Sequence, residues 1–442
     1  MTYSETIDYL LGIRLFGQKL GLETMRQLLR LMGDPQRSLR FIHIAGTNGK
    51  GSVAAMTQSV LTAAGYKTGL YTSPHLVSFC ERFQVNGTLI PESEVVRLVE
   101  QLAPLLEKMA AHPEFRRPTF FETVTALALQ YFHEQKVDVV VWETGLGGRL
   151  DATNVVTPLV SVITNIAFDH TQYLGDTLGQ IATEKCGIVK SSIPVVTAAE
   201  EPEAFEVIRR MAAANHSRLT VIGREINAER LGETNCGQSL RLTGCRNDYG
   251  ELSIPLLGEH QTVNCATTVA TLEASGLEIE PDQMRKGLAM TRWLGRFQII
   301  HQHPMVVLDG AHNAAAAERL AATLREHAAG REVALILGVL RDKNYAQMCS
   351  VLAPLACRIL CVPVNSERTS DPAELAGLCR LANSKAVVST WPHVSAAYAQ
   401  ACESGSETIA ITGSLFLVGE ALARLGFQTG AQPVSEEELI LQ

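Results

Sequence analysis

Short apolar, β-branched runs alternate with longer amphipathic stretches along most of this chain. "FIHIA" (41–45) predicts a strand, and "VAAMTQSVLTAAG" (53–65) a helix with Gly65 as its terminator. "VDVVVW" (137–142), "LVSVIT" (159–164) and "IPVVT" (193–197) are apolar on both faces, as strands buried inside a parallel sheet must be. From about 215 to 257 the pattern changes to short strand-like pieces with several glycines, which predicts a β-rich excursion. "TRWLGRF" (291–297) marks a boundary. Beyond it the rhythm restarts with "MVVLDGAHN" (305–313), "EVALILGVL" (332–340), "RILCVPV" (358–364) and "TIAITGS" (408–414) before a helix.

Such alternation predicts an α/β fold. A large domain built on a mainly parallel sheet, with the β-rich excursion inside it, is expected over 1–295. A smaller Rossmann-like α/β domain is expected over 298–442. The tail "TGAQPVSEEELILQ" is expected to be partly disordered.

Composition narrows the function classes. The chain has 442 residues, enough for two or three domains with substantial cores. Its net charge of -8 argues against a nucleic-acid partner, so an anionic ligand needs a local concentration of positive charge. Ten scattered cysteines with no C-x-x-C pair suggest a reducing compartment and no zinc site; Cys357 and Cys361, the closest pair, fall in a predicted buried strand. The N-terminus lacks a basic, then apolar leader, and no apolar run is long enough for a bilayer. A cytoplasmic protein with no membrane partner is the expectation.

The first chemical candidate is "IAGTNGKGS" (44–52), which follows a predicted strand and opens a predicted helix. It is shorter than the usual phosphate loop: only Thr47 and Asn48 separate Gly46 from Gly49, and Gly51 stands between Lys50 and Ser52. The context is nonetheless that of a phosphate loop. Amides at the helix start and the macrodipole favour an anion. Lys50 would neutralise β/γ charge, and Ser52 could ligate Mg²⁺. A tight turn carrying an exposed lysine is the plainer reading.

Ligands of open α/β sheets bind beyond the carboxyl ends of the strands. Those ends deliver Ser73, Glu143 and His170, a set able to hold Mg²⁺ beside a γ-phosphate. Taken singly, Ser73 before a proline is also a turn residue and His170 a possible helix cap. Glu143 ends a strongly apolar strand and needs a partner. "GLGG" (145–148) lacks the spacing of a dinucleotide fingerprint, which disfavours a nicotinamide dehydrogenase.

Eight motifs stand in order: "GTNGKGS", "YTSPHL", "ETGLGGRLDATN", "DH" at 169–170, "EKCGIVK", "GRF", "DGAHN" and "ITGS". Together they resemble the folylpolyglutamate synthase/dihydrofolate synthase family of the Mur ligase superfamily, over nearly the whole chain. The resemblance implies an ATP-dependent ligase that joins L-glutamate to dihydropteroate or a reduced folate, including folylpolyglutamates, through an acyl phosphate. It implies that Thr47, Asn48, Gly49, Lys50, Gly51 and Ser52 cradle ATP, with Asn264, Arg296 and Asp309 as further nucleotide contacts. Ser52, Ser73, Glu143 and His170 would hold Mg²⁺. Thr119, Phe120 and Phe121, with Leu150, Asp151 and Ala152, would form the pterin side; an aromatic pair suits a flat heteroaromatic ring, and core packing explains Phe120 and Phe121 equally well. His312 and Ser414 would handle the incoming glutamate.

The family's lysine matching Lys185 is carbamylated and becomes a metal ligand. Carbamylation needs a neutral amine, and an unperturbed lysine is only roughly 0.04% neutral at pH 7. Burial would have to lower its pKa. Cys186 stands where the family usually has alanine, and Ala314 replaces a common proline. Two rivals differ in sequence features. A peptidoglycan-precursor Mur ligase would carry a domain ahead of the loop, where 45 residues precede Gly46. A non-catalytic nucleotide-gated module would be expected to lack Lys50, Glu143 or Lys185, and all three are present. A monomer is expected.

Overall fold

A computed structural model describes residues 1–14, 21–113 and 115–426. The tail from 429 onward lies outside these residues. The described residues form two large, mainly parallel sheets and one small antiparallel sheet.

The first sheet has the order β4-β3-β2-β5-β1-β6-β7-β8. Its strands are β1 (Phe41–Ala45), β2 (Thr68–Tyr71), β3 (Phe83–Val85), β4 (Thr88–Leu89), β5 (Val139–Glu143), β6 (Val160–Ile163), β7 (Val195–Thr197) and β8 (Leu219–Val221). From β2 to β8 the neighbours pair in parallel, and β3 and β4 add an antiparallel edge. The doubly apolar strands separate two cores. Phe41, Val140 and Trp142 enter one, while Ile42, Ile44, Val139 and Val141 enter the other. That explains their continuous hydrophobicity.

The excursion is β9 (Asn227–Thr234), β10 (Gly237–Thr243) and β11 (Asp248–Ile254), an antiparallel meander. It starts later than the sequence pattern indicated, because β8 joins the first sheet. Leu240, Leu242, Leu252 and Ile254 alternate along it and share a core with Cys265, Val269 and Leu272 of the helix Glu259–Ser275.

The second sheet has the order β12-β13-β17-β14-β15-β16. Its strands are β12 (Gln298–Gln302), β13 (Met305–Asp309), β14 (Val333–Leu337), β15 (Arg358–Cys361), β16 (Val387–Thr390) and β17 (Thr408–Thr412). Only β12 runs antiparallel to its neighbour. The boundary stretch 291–297 links the helix Pro281–Ala289 to β12. All ten cysteines are free thiols. Among the described residues no helix is long and apolar enough to cross a membrane.

Candidate active site

β1 lies at the middle of the first sheet, between β5 and β6. The glycine bend leaves its carboxyl end, and the helix Lys50–Ala63 starts three residues earlier than the apolar pattern suggested. Gly49, at φ +86°, makes that early start possible, because it turns the chain straight into the helix. A Cβ there would fall 2.5 Å from Oδ1 of Asn264, so the helix carrying Asn264 packs directly on the bend. The first turn leaves amides without intrahelical acceptors, a ready site for an anion.

The loop after β6 braces the bend. The Thr47 amide donates to the Asn165 carbonyl at 2.9 Å, and the Asn48 amide to Asn165 Oδ1 at 2.8 Å. Thr47 Oγ1 donates to the Ala167 carbonyl at 3.1 Å, and Thr164 Oγ1 to the Asn48 carbonyl at 2.7 Å. Lys50 folds back: its ammonium donates to the carbonyls of Gly46 and Thr47, at 3.0 and 3.1 Å. Ser52 is buried, and Gly51 lies under the indole of Trp293.

Lys185 reaches the same carbonyl. It is 4% exposed, and its Nζ donates to Gly46 O at 2.8 Å. Burial, with the Lys50 charge next, lowers its pKa to about 7. Glu143 closes β5; its Oε2 accepts from the Ser73 amide at 3.0 Å. Burial raises the Glu143 pKa, against the opposing pull of Lys50, the Ser73 amide and Arg296. Lys50 is lowered by burial while Glu143 and Asp169 act to raise it. Lys50 therefore senses the charge of Glu143 on one side and acts on Lys185 on the other. His170 takes a left-handed conformation ahead of the short helix Thr171–Leu174, without a side-chain cap. Burial and then the Lys343 charge lower its pKa to about 4, so it is neutral at pH 7.

The second sheet faces this cluster. Asp169, beside His170, accepts from Lys343 Nζ at 2.6 Å and from Asn313 Nδ2 at 3.1 Å, and lies 3.6 Å from His312 Nε2. Burial works to raise the Asp169 pKa, but His312, Lys343 and His170 more than offset it, and the carboxyl is held well below its usual range. Asn48 and Asn313 exchange amide hydrogen bonds at 3.0 and 3.2 Å. His312 Nδ1 lies 2.8 Å from the Gly310 carbonyl.

At the junction, Asp309 accepts from the amides of Phe297 and Ala311, both at 2.8 Å. Arg296 donates to the Gly295 carbonyl at 3.0 Å and feels the charges of Asp309 and Glu143; burial lowers its pKa. Ser414 caps the helix Leu415–Arg424 through the Phe416 amide.

On the other side of Glu143, Thr119 caps the helix Phe120–Glu134, its hydroxyl shared with Glu122. Phe121 lies against Gly145, where a Cβ would meet its ring at 2.4 Å, and 6.3 Å from the Tyr71 ring centroid. The guanidinium of Arg82 sits 5.7 Å from the Phe120 centroid. Phe120 and Phe121 are both half-buried. Asp151 accepts from Leu146 N at 2.7 Å and from Thr153, shaping the loop that carries Leu150 and the buried Ala152.

Sequence reasoning did not assign roles to Asp169, Lys343, Asn313 or Trp293. Applying the strand-end rule to β14 would have reached Lys343, in "RDK" (341–343), which lies just beyond it. Among the described residues no group of three or more His, Cys, Asp and Glu side chains forms a self-sufficient metal site. Glu143 is nevertheless a buried carboxylate with one hydrogen-bonded donor. A buried carboxylate of this kind suits a cation that draws most of its ligands from phosphate and water.

Two family models match the chain: the Mur ligase middle domain over residues 44–272 and the Mur ligase glutamate ligase domain over residues 295–415. The dihydrofolate synthase/folylpolyglutamate synthase of Bacillus subtilis is 37% identical over 434 residues, covering 96% of this chain and 99% of that protein. The Mycobacterium tuberculosis folylpolyglutamate synthase complexed with ADP superimposes with a TM-score of 0.88 at 32% identity, covering 98% and 100% of the two chains. Escherichia coli FolC in complex with DHPP and ADP gives a TM-score of 0.84 at 31% identity, over 96% and 98%. The glycine bend, the two α/β units and these matches define a Mur ligase, and within that superfamily the chain belongs to the folylpolyglutamate synthase/dihydrofolate synthase family.

Proposed function

We propose that this chain is an ATP-dependent ligase that adds L-glutamate to dihydropteroate, to folyl(poly)glutamates, or to both. The observation that carries this reading is the convergence of Lys50 and Lys185 on the Gly46 carbonyl, with the buried Glu143 acting on Lys50. The Lys50 cation at the mouth of a helix N-terminus favours a polyphosphate. Complexes of relatives with ADP and DHPP support the same choice of substrates.

Residues 1–295 would bind ATP and the pterin, and residues 298–442 the glutamate. Thr47 to Ser52, Asn264, Arg296 and Asp309 hold the nucleotide in this reading. Asp309 acts through the Phe297 turn and Arg296. Phe120 and Phe121 flank the pterin ring, on a loop floor set by Thr119, Leu150, Asp151 and Ala152. Ser52, Ser73, Glu143, His170 and a carbamylated Lys185 would hold Mg²⁺, which when bound neutralises charge on the β- and γ-phosphates.

In this reading the reaction runs in two steps. A carboxylate oxygen of the pterin substrate attacks the γ-phosphorus in line, and the bond to the β-γ bridging oxygen breaks, giving ADP and an acyl phosphate. Lys50 neutralises charge at the transferring group. The neutral amine of glutamate, oriented near His312 and Ser414, attacks the acyl carbon. Phosphate leaves and the amide forms. Asp169 and Lys343 keep the second sheet close and limit water at the acyl phosphate. The protein is taken to work as a cytoplasmic monomer.

Purified protein with ATP, Mg²⁺ and glutamate should release phosphate only when dihydropteroate or a reduced folate is present. Turnover on a muramyl precursor, with none on either folate acceptor, would overturn this reading. Comparing dihydropteroate with tetrahydrofolate identifies which activity is present.

A further inference from the structure

Away from the phosphate loop, one carboxylate ties three elements together. Glu233, on β9, has a side chain 9% exposed. Its Oε1 accepts from the Gly258 amide at 3.1 Å and lies 2.6 Å from Nε2 of His327. Its Oε2 accepts from Arg230 Nη1 at 2.6 Å. Arg230 also makes two 2.8 Å bonds to Glu326, in an outer layer.

The partners of Glu233 lead to two separate parts of the candidate nucleotide site. Gly258, at φ +96°, is the residue from which the helix Glu259–Ser275 begins, and that helix carries Asn264 against Gly49. His327 ends the helix Ala314–His327, and its ring lies 5.1 Å from that of Phe297, centroid to centroid. Phe297 is 2% exposed with φ +40°, a conformation rare for a bulky side chain. Such a conformation persists where the surroundings dictate it. Here the Asp309 carboxylate holds the Phe297 amide, and the His327 ring packs on its side chain. Arg296 is the next residue along.

We propose that Glu233 is a positioning residue for the nucleotide: by holding Gly258 and His327 together it sets the spacing between Asn264 and Arg296, and so the affinity for ATP and ADP. The small antiparallel sheet then serves as a bracket between the two large units at their junction. This inference rests on the reading that Asn264 and Arg296 contact the nucleotide.

The test uses the full chain, with ADP titrated calorimetrically and steady-state kinetics measured for each substrate. Glu233→Gln and His327→Leu should each weaken ADP binding and raise the KM for ATP by about five- to twentyfold. Turnover at saturating ATP and the KM for glutamate should stay within about twofold. His327→Gln, whose amide nitrogen can stand in for Nε2, should recover most of the affinity. Glu326→Gln, confined to the outer layer, should bind ADP like the unaltered chain. Unchanged ADP affinity in Glu233→Gln and His327→Leu would overturn the proposal. So would a fall in thermal stability with turnover and every KM shifting together and no recovery in His327→Gln, which is the behaviour of a simple strut. If the unaltered chain binds no ADP, the nucleotide reading itself fails and this inference with it.

Discussion

The ammonium of Lys185 donates to the carbonyl oxygen of Gly46 at 2.8 Å, tying the end of the helix Leu178–Lys185 to the glycine bend. Lys50 donates to the same oxygen, so two cations share one acceptor in a buried place. Burial and this repulsion bring Lys185 to a pKa of about 7. About half of its amine is then neutral at pH 7, against roughly 0.04% for an ordinary lysine. That is the form able to react with CO₂. Lys185→Ala should lose about a hundredfold or more in ligase turnover. Acetate or formate, as a small substitute for the carbamate, should restore part of it. Full turnover in Lys185→Ala with no added acid would rule out the proposed metal-holding role of Lys185.

The same shift has a consequence for stability in the uncarbamylated protein. The folded pKa of Lys185, about 7, lies below its unfolded value near 10.5. Between those limits the unfolded chain binds more protons, so stability rises with pH. Below pH 7 both states are protonated and the penalty for burying the charge is complete. Lys185→Met removes the group. With CO₂ excluded, the gain in unfolding free energy from pH 7 to pH 9 should be smaller in Lys185→Met than in the parent by about 2 kcal/mol. Urea unfolding at the two pH values measures it, and parallel pH dependences would count against a depressed pKa.

Asp169 and Lys343 form a buried ion pair between the two large sheets. Their contact is 2.6 Å, with side chains 8% and 6% exposed. Removing one partner of such a pair leaves the other charge stranded, at a cost of about 3–5 kcal/mol. Separation of the units would relieve that cost by returning Lys343 to water. Asp169→Ala should therefore favour an opened arrangement, visible as a larger radius of gyration by small-angle scattering, with turnover reduced about tenfold or more. Scattering and turnover both like those of the parent would show that the pair is dispensable for closure.

Much of this was legible in the sequence because single elements carry their own signal. β1 coincides with "FIHIA", since a strand covered on both faces is apolar at every position. Glu143 stood out as a carboxylate ending such a strand, and it is buried beside Lys50. The start of the helix Lys50–Ala63 at Lys50 was hidden, because its glycines carry no hydrophobic period. Thr119 and Ser414 have the residue type of ligand contacts, yet each hydroxyl also caps a helix, a double use that composition cannot separate. Lys343, Asn313 and Glu233 were not apparent for another reason. Their partners Asp169, Asn48 and His327 are far away in sequence, and only the packing of the sheets brings them together.

Gly51 and Trp293 meet where the glycine bend touches the junction. A Cβ on Gly51 would fall 2.7 Å from Cζ2 of the indole, closer than real contacts allow. Trp293 belongs to the stretch joining the two units, so the glycine bend and the junction press on each other at one point. Gly51 sits inside the helix at ordinary backbone angles, and alanine there is disfavoured by the clash alone. Gly51→Ala should displace the indole and raise the KM for ATP about tenfold, while Gly51→Ala with Trp293→Leu, which frees the space, should recover part of the loss. The interaction energy in this double-mutant cycle should be about 1 kcal/mol or more. Strictly additive effects on the KM for ATP would mean that the loop and the junction do not communicate through this contact.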